Sequence, residues 1–183
     1  IQNTLKTHKT NIIAVSKTFP VSEILPLVNR QHVHFGENKV PEAVEKWPKI
    51  KQDYKDIKLH MIGRLQTNKV KFAIPLFDYI HSLDSLKLAK KIYEEQNKIK
   101  KSLKIFIQVN IGNEDQKSGI NEEYLEEFYN KCISEFNLDI VGLMCLPRNN
   151  SDSSDYFLKM KDLAKKHNLK ELSMGMSLSL IHI

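Results

Sequence analysis

The segment Asn11–Lys17, with the sequence NIIAVSK, is a β-rich apolar run that ends on a lysine. A lysine in this position is either a surface cation whose aliphatic stem packs beside the strand, or a reactive amine in a partly desolvated site. An amine of the second kind can form a Schiff base with a carbonyl compound. The segment by itself favours the surface cation, and the reactive amine remains the alternative.

Residues that could carry chemistry also follow the other β-rich runs of the chain. They are Gly36, Glu37 and Asn38, then His60 and Gly63, His81 and Ser82, Asn110, Met144, and the run Ser173, Met174, Gly175, Met176 and Ser177. Residues at the ends of several strands meet in space only if those strands run parallel in one sheet. The order of secondary-structure elements therefore decides whether these residues form a site.

Seven short β-rich runs alternate with segments whose apolar residues recur at helical spacing. The predicted strands are Asn11–Ser16, His32–Phe35, Lys58–Ile62, Phe77–His81, Lys104–Ile111, Leu138–Met144 and Glu171–Met174. A helix in the segment SLDSLKLAKKIYEEQNKIKK is expected to begin after an N-cap at Asp84 or Ser85. Repeated strand and helix units predict parallel strands with crossover helices. Because the chain has neither G-x-G-x-x-G nor a P-loop motif, we favour a TIM-type β/α barrel over an open doubly wound sheet.

Composition restricts the class of protein. The chain has 183 residues, of which 41% are hydrophobic and 27% charged, and these values predict one globular domain. Its first residues, IQNTLKTHKT, lack an apolar signal core, so we expect a cytoplasmic location. The chain contains no apolar run of about 18 residues, so we expect no membrane span. The two cysteines, Cys132 and Cys145, lack metal-ligand spacing, so we expect no metal site. The net charge of +6 is spread among interleaved acids, which makes nucleic-acid binding the less favoured interpretation.

Six motifs occur in an order that resembles the pyridoxal phosphate homeostasis protein family. They are AVSK at Ala14–Lys17, FGEN at Phe35–Asn38, HMIGRLQTNK at His60–Lys69, KSGI at Lys117–Ile120, GLM at Gly142–Met144 and SMGMS at Ser173–Ser177. The resemblance extends from Asn11 to Ser177. It implies a pyridoxal phosphate (PLP) barrel of fold type III, similar to the N-terminal barrel domain of alanine racemase.

The resemblance also implies the residues of the site. Lys17 matches the family lysine that forms an internal aldimine with pyridoxal 5′-phosphate, and Asn38 matches the Asn placed near the ring hydroxyl of the cofactor. Ser177 matches the serine that helps to hold the phosphate, and Ser173, Gly175 and Met176 accompany it. We expect His60 and Gly63 to line the mouth of the barrel and Met144 to form its floor. A loop cap for Asn38, and core packing for His60 and Met144, remain the alternatives.

After Ser177 the sequence departs from the family pattern, and no match is present for the Arg and the Gly-Thr pair of the eighth strand. We therefore expect a single barrel domain over residues 1–183 that lacks the final β/α unit, with weakened cofactor binding. The function implied is a monomeric, non-catalytic PLP-binding protein that takes part in PLP homeostasis and supplies PLP-dependent client enzymes. The alternative is a PLP-dependent amino-acid racemase, which requires a second acid/base group opposite the lysine.

Overall fold

The alternation of strands and helices is present in the computed structural model, which describes residues 10–112, 118–146 and 153–174. Seven strands form one sheet in sequence order, and every neighbouring pair is parallel. The strands are β1 Ala14–Val15, β2 His34–Glu37, β3 Lys58–Met61, β4 Tyr79–Leu83, β5 Lys104–Gln108, β6 Asp139–Cys145 and β7 Glu171–Met174. The helices are α1 Val21–Asn29, α2 Val40–Asp53, α3 Val70–Leu76, α4 Leu86–Ile99, α5 Leu125–Ser134 and α6 Ser153–Lys166. The predicted α/β architecture is confirmed, and it takes the form of a seven-stranded half-barrel.

Each predicted strand overlaps an observed one, but the first and the fifth are shorter than predicted by several residues and the third by one residue. The first strand was predicted to begin at Asn11, whereas only Ala14–Val15 pair with β2. The fifth was predicted to continue to Ile111 and ends at Gln108. Beyond that point the backbone pairs with Ile120, whose amide donates to the Gln108 carbonyl oxygen at 2.8 Å.

The helices cover the outer face of the sheet, as helix α2 illustrates. Its buried residues are Val40, Ala43, Trp47 and Ile50, which share one face of the helix because they recur at three- and four-residue steps. The ring of Trp47 is fully buried and packs against Phe35 of β2, with the two ring centroids 5.0 Å apart. Burial of large apolar side chains of this kind contributes about 1.5–3 kcal/mol each.

The inner face of the sheet carries a hydrogen-bonded chain of three histidines. His34 Nδ1 lies 2.9 Å from His60 Nε2, and His60 Nδ1 lies 2.9 Å from His81 Nε2. The chain ends on β7, where Ser173 Oγ lies 2.7 Å from His81 Nδ1. The ring of Tyr79 stacks on His60 with a centroid distance of 4.2 Å. We call His34, His60, His81 and Ser173 the histidine chain.

The last contact of the histidine chain requires a strongly curved sheet. Strands β4 and β7 are separated by β5 and β6, which in a flat sheet would place them about 14 Å apart at the usual strand spacing. His81 and Ser173 nevertheless form a direct hydrogen bond. The inner face is therefore concave, and residues from opposite parts of the sheet meet across it.

Burial keeps the histidine chain neutral. Burial, together with the smaller effects of the neighbouring His81, His34 and Lys51, lowers the pKa of His60 to about 2. Burial also lowers the pKa of His81 to about 4. The pKa of His34 lies below its ordinary value, mainly because of burial.

The histidine chain predicts that the fold loses stability in mild acid. As the pH falls below about 6.5, histidines in the unfolded chain bind protons, while His60 and His81 in the folded protein do not. Each of the two should therefore reduce the free energy of unfolding by about 1.4 kcal/mol per pH unit, and the loss should reverse as the pH rises. Urea unfolding at several pH values between about 7.5 and about 5 measures this slope.

The variant His81→Gln tests where this slope originates. The free energy of unfolding of this variant should depend less steeply on pH, because glutamine does not titrate. The slope should fall by the contribution of one histidine, about 1.4 kcal/mol per pH unit. The same slope in the variant and in the original protein would contradict the assignment to the histidine chain.

Candidate functional site

Backbone hydrogen bonds bring the ends of the first three strands together. The Ser16 amide donates to the Gly36 carbonyl oxygen at 2.9 Å, and the Ile62 amide donates to the Glu37 carbonyl oxygen at 2.9 Å. These bonds continue the parallel pairing past the last residues of β1 and β3. The residues that follow at this edge of the sheet are Lys17, Asn38 and Gly63, three of the predicted site residues.

Lys17 is the second residue after β1, at the point where the backbone leaves the sheet. Ser16 is buried, and its hydroxyl donates to Glu37 Oε1 at 2.8 Å, whereas Lys17 itself is exposed in the turn that follows β1. Lys17 forms no ion pair with any residue in the described ranges. Its amine is therefore accessible to a small molecule at the strand ends.

Asn38 and Gly63 fit closely against each other. The Asn38 side-chain oxygen is buried and has no hydrogen-bond partner within the described part of the chain. A Cβ atom on Gly63 would lie 2.4 Å from the Asn38 carbonyl oxygen, so only glycine allows this approach. Because buried polar atoms are normally paired, the unpartnered oxygen of Asn38 indicates a place for a ligand group.

The later strands contribute further residues to the same edge. Ser82 on β4 is buried, and its hydroxyl lacks a partner among the described residues. Met144 on β6 is buried and lies beside the half-buried Ser173 of β7 in the strand register. The predicted Gly175, Met176 and Ser177 lie outside the described residues.

His60, which was expected either to line the mouth of the barrel or to pack in the core, lies on the inner face of the sheet. It lies within the histidine chain, with both ring nitrogens hydrogen-bonded to other histidines and only 4% of its surface exposed. This geometry favours the alternative of a core histidine with satisfied hydrogen bonds. Its contact with a cofactor stays a prediction.

Glu37, Glu42 and Lys46 form a charged group beneath the ends of β1 and β2. The sequence analysis did not predict this group. Glu37 is fully buried, and its Oε1 accepts from Trp47 Nε1 at 2.9 Å and lies 2.7 Å from Lys46 Nζ. Lys46 also pairs with Glu42, four residues earlier on α2, at 2.8 Å. The Glu-to-Lys spacing of four residues was visible in the sequence, but it usually indicates an exposed helix pair.

Elsewhere in the described part of the chain, the structure gives little evidence of a second ligand site. A cavity of about 570 Å³ lies between the start of α5 and the end of α6, and it contains none of the predicted residues. Within it Lys166 already pairs with Glu126 at 2.8 Å. No cluster of three or more His, Cys, Asp or Glu side chains in the described ranges is arranged for a metal ion. Among the described helices, none is both long enough and apolar enough to cross a membrane.

Comparison with known proteins places the chain among relatives of the same fold. A family model described as the N-terminal domain of alanine racemase matches residues 1–182. The pyridoxal phosphate homeostasis protein of Aquifex aeolicus is 36% identical over 175 residues, which cover 91% of this chain and 76% of the relative. The chain thus spans about three quarters of the length of this relative.

Solved structures give the same result. PipY of Synechococcus elongatus without PLP superposes with a TM-score of 0.85 at 30% identity, over 96% of this chain and 87% of PipY. PipY with PLP bound superposes with a TM-score of 0.80 at 28% identity, over the same shares of the two chains. Alanine racemase of Clostridium difficile superposes with a TM-score of 0.67 at 16% identity, over 97% of this chain and 48% of the racemase, a similarity of fold alone.

The close approach of Gly63 to Asn38 predicts that Gly63→Ala damages this edge of the sheet. The added Cβ meets backbone atoms that cannot move independently, so we expect a loss of about 1–3 kcal/mol in the free energy of unfolding. Urea unfolding measures this loss, and titration with PLP should show weaker binding because Asn38 is displaced.

The matched control is Gly36→Ala, where the atoms nearest to the added Cβ belong to the side chains of Ile13 and Ile62, at 3.0 Å. These flexible side chains can move aside, so the control should be less affected in both measurements. If the two variants unfold and bind alike, the backbone contact at Gly63 has no special importance.

Proposed function

The chain belongs to the pyridoxal phosphate homeostasis protein family, and from this membership we propose that it binds pyridoxal 5′-phosphate through Lys17 and takes part in PLP homeostasis without catalytic turnover. The observation that carries the proposal is the position of Lys17, which is exposed just after β1, the strand that pairs with β2, and Asn38 directly follows β2. Relatives of this chain are named for PLP homeostasis, and PipY has been solved with PLP bound.

The residues at this edge of the sheet fit such a ligand. The unpartnered amide oxygen of Asn38 marks a group able to pair with a polar substituent of the pyridine ring, since reorienting the amide presents either a donor or an acceptor. The absence of a Cβ on Gly63 lets the backbone after β3 lie directly against Asn38. The buried hydroxyl of Ser82 offers a second unpaired polar group near the strand ends.

Lys17 supplies the covalent link in this proposal. When bound, the cofactor provides an aldehyde that reacts with amines. Lys17 would hold the cofactor through its amine, which would bind the aldehyde carbon while the aldehyde oxygen is released as water. Because Lys17 is exposed, water can also reverse the reaction. Reversible attachment suits a protein that holds a reactive aldehyde and later transfers it to PLP-dependent client enzymes.

The racemase alternative finds less support. Racemisation needs a second acid/base group on the face opposite the lysine. Asn38, Ser82 and Met144 have no group that exchanges protons near neutral pH. The buried His60 and His81 have pKa values of about 2 and about 4 and are hydrogen-bonded to each other. The names of the relatives also favour a homeostasis protein over an enzyme.

The assignment of Lys17 predicts where a trapped adduct will be found. After incubation with PLP and reduction with borohydride, peptide mapping should locate the pyridoxyl group on Lys17, and Lys17→Ala should lose it. Lys39→Ala serves as the matched control, because Lys39 is exposed next to Asn38 and is expected to be dispensable. An adduct distributed over many surface lysines would contradict the proposal.

The non-catalytic role predicts that the PLP-loaded protein does not interconvert L- and D-alanine. The physical reason is that Lys17 can move a proton on one face only. Chiral analysis of alanine after prolonged incubation measures the conversion. A conversion that scales with protein concentration and disappears in Lys17→Ala would instead favour the racemase.

A further inference from the structure

The turn that carries Lys17 is held from below by one side chain of helix α2. Lys46 Nζ donates to the Ser16 carbonyl oxygen at 2.9 Å and to the Phe19 carbonyl oxygen at 3.3 Å. These two carbonyl groups lie on either side of Lys17 in the sequence. The Lys46 ammonium group therefore fixes the turn both before and after Lys17.

Two carboxylates keep the Lys46 ammonium group in place. Lys46 Nζ lies 2.7 Å from Glu37 Oε1 and 2.8 Å from Glu42 Oε1, while the Lys46 side chain is only 11% exposed. Burial by itself lowers the pKa of Lys46, but its hydrogen bonds to Glu37 and Glu42 outweigh burial and raise the pKa above its ordinary value. Lys46 therefore stays protonated, so that it can donate hydrogen bonds but cannot attack an aldehyde.

The backbone of the turn requires such support. Thr18, the residue after Lys17, has a φ of 67°, which lies in the left-handed region that residues other than glycine seldom adopt. Its amide donates to Glu42 Oε1 at 2.6 Å. The same carboxylate oxygen thus binds both the turn and the Lys46 ammonium group. Contacts from α2 hold in place a conformation that is unfavourable by itself.

We propose that Lys46 is a positioning residue for Lys17. Its buried ammonium group fixes the Ser16–Phe19 turn and so sets the direction in which the Lys17 side chain points away from the sheet. This inference rests on the proposed function, in which Lys17 reacts with the cofactor aldehyde. A positioned amine reacts faster than one that samples many directions, since less orientational freedom is lost in the reaction.

Helix α2 contains a matched control for this inference. Lys51, five residues after Lys46, donates to the Leu76 carbonyl oxygen at 2.9 Å and pairs with Asp78 at 2.6 Å. Lys51 thus makes the same kinds of contact from the same helix, but to the segment before β4 instead of the Lys17 turn. Comparing Lys46→Met with Lys51→Met separates the loss of a buried lysine from the loss of the turn contacts.

The experiment measures the rate at which Lys17 is modified, using borohydride trapping and peptide mapping in the full chain. Two probes are used, PLP and pyridoxal, because pyridoxal lacks the phosphate and reports on the amine alone. We expect Lys46→Met to slow modification of Lys17 at least tenfold with both probes, and Lys51→Met to change it less than twofold. Lys46→Arg, which keeps a cation at this position, should recover most of the rate. No adduct should map to Lys46.

The outcomes separate this inference from the proposed function. If the original protein is not modified at Lys17, the proposed function fails, and the inference fails with it. If Lys17 is modified but Lys46→Met and Lys51→Met react alike, only the positioning role is overturned. Should Lys46→Met not fold, Glu42→Gln tests the same turn, since it weakens the contacts to Thr18 and Lys46 while keeping the shape of the side chain. A rate for Glu42→Gln equal to that of the original protein would also overturn the inference.

Discussion

The curvature of the parallel sheet is the constraint on which the other features of the molecule depend. Parallel pairing places all the strand ends at one edge, and curvature makes the inner face of the sheet concave. The hydrogen bond between His81 and Ser173 shows how strong this curvature is, because it joins strands that are not neighbours. The arrangement brings Lys17, Asn38 and Gly63 to one edge and the histidines of three strands into contact with each other.

Local patterns were sufficient to predict the fold and the position of Lys17 and Asn38 just after the first two strands. The order of β-rich runs and helical segments predicted seven parallel strands. The family motifs at their ends include Lys17 and Asn38, whose role in binding a cofactor stays a prediction. Ser85 was one of two predicted N-caps, and its hydroxyl accepts a hydrogen bond from the Leu88 amide at 3.4 Å. These features could be predicted because each depends on residues that are close together in the sequence.

The features that the sequence did not reveal depend on contacts between distant residues. Lys46 reaches the Ser16 carbonyl oxygen across 30 positions, and no periodic pattern encodes such a contact. The histidine chain was missed for the same reason, since His81 and Ser173 are separated by 92 positions. A Glu and a Lys four residues apart on a helix normally lie in water, and only the packing of α2 against β1 and β2 makes this pair partly buried. The short first strand reflects its position at the edge of the described sheet, where it pairs with β2 alone.

The hydrogen bonds of the histidine chain must all run in the same direction. A neutral imidazole has one N–H donor and one acceptor nitrogen. Each ring must therefore donate its hydrogen bond in the same direction along the chain as its neighbour does. If the Ser173 hydroxyl donates to His81 Nδ1, then His81 donates from Nε2 to His60, and His60 donates from Nε2 to His34. If Ser173 accepts instead, all three rings must adopt the opposite tautomer. The orientation of one hydroxyl on β7 thus determines which nitrogen of His34 on β2 carries the proton.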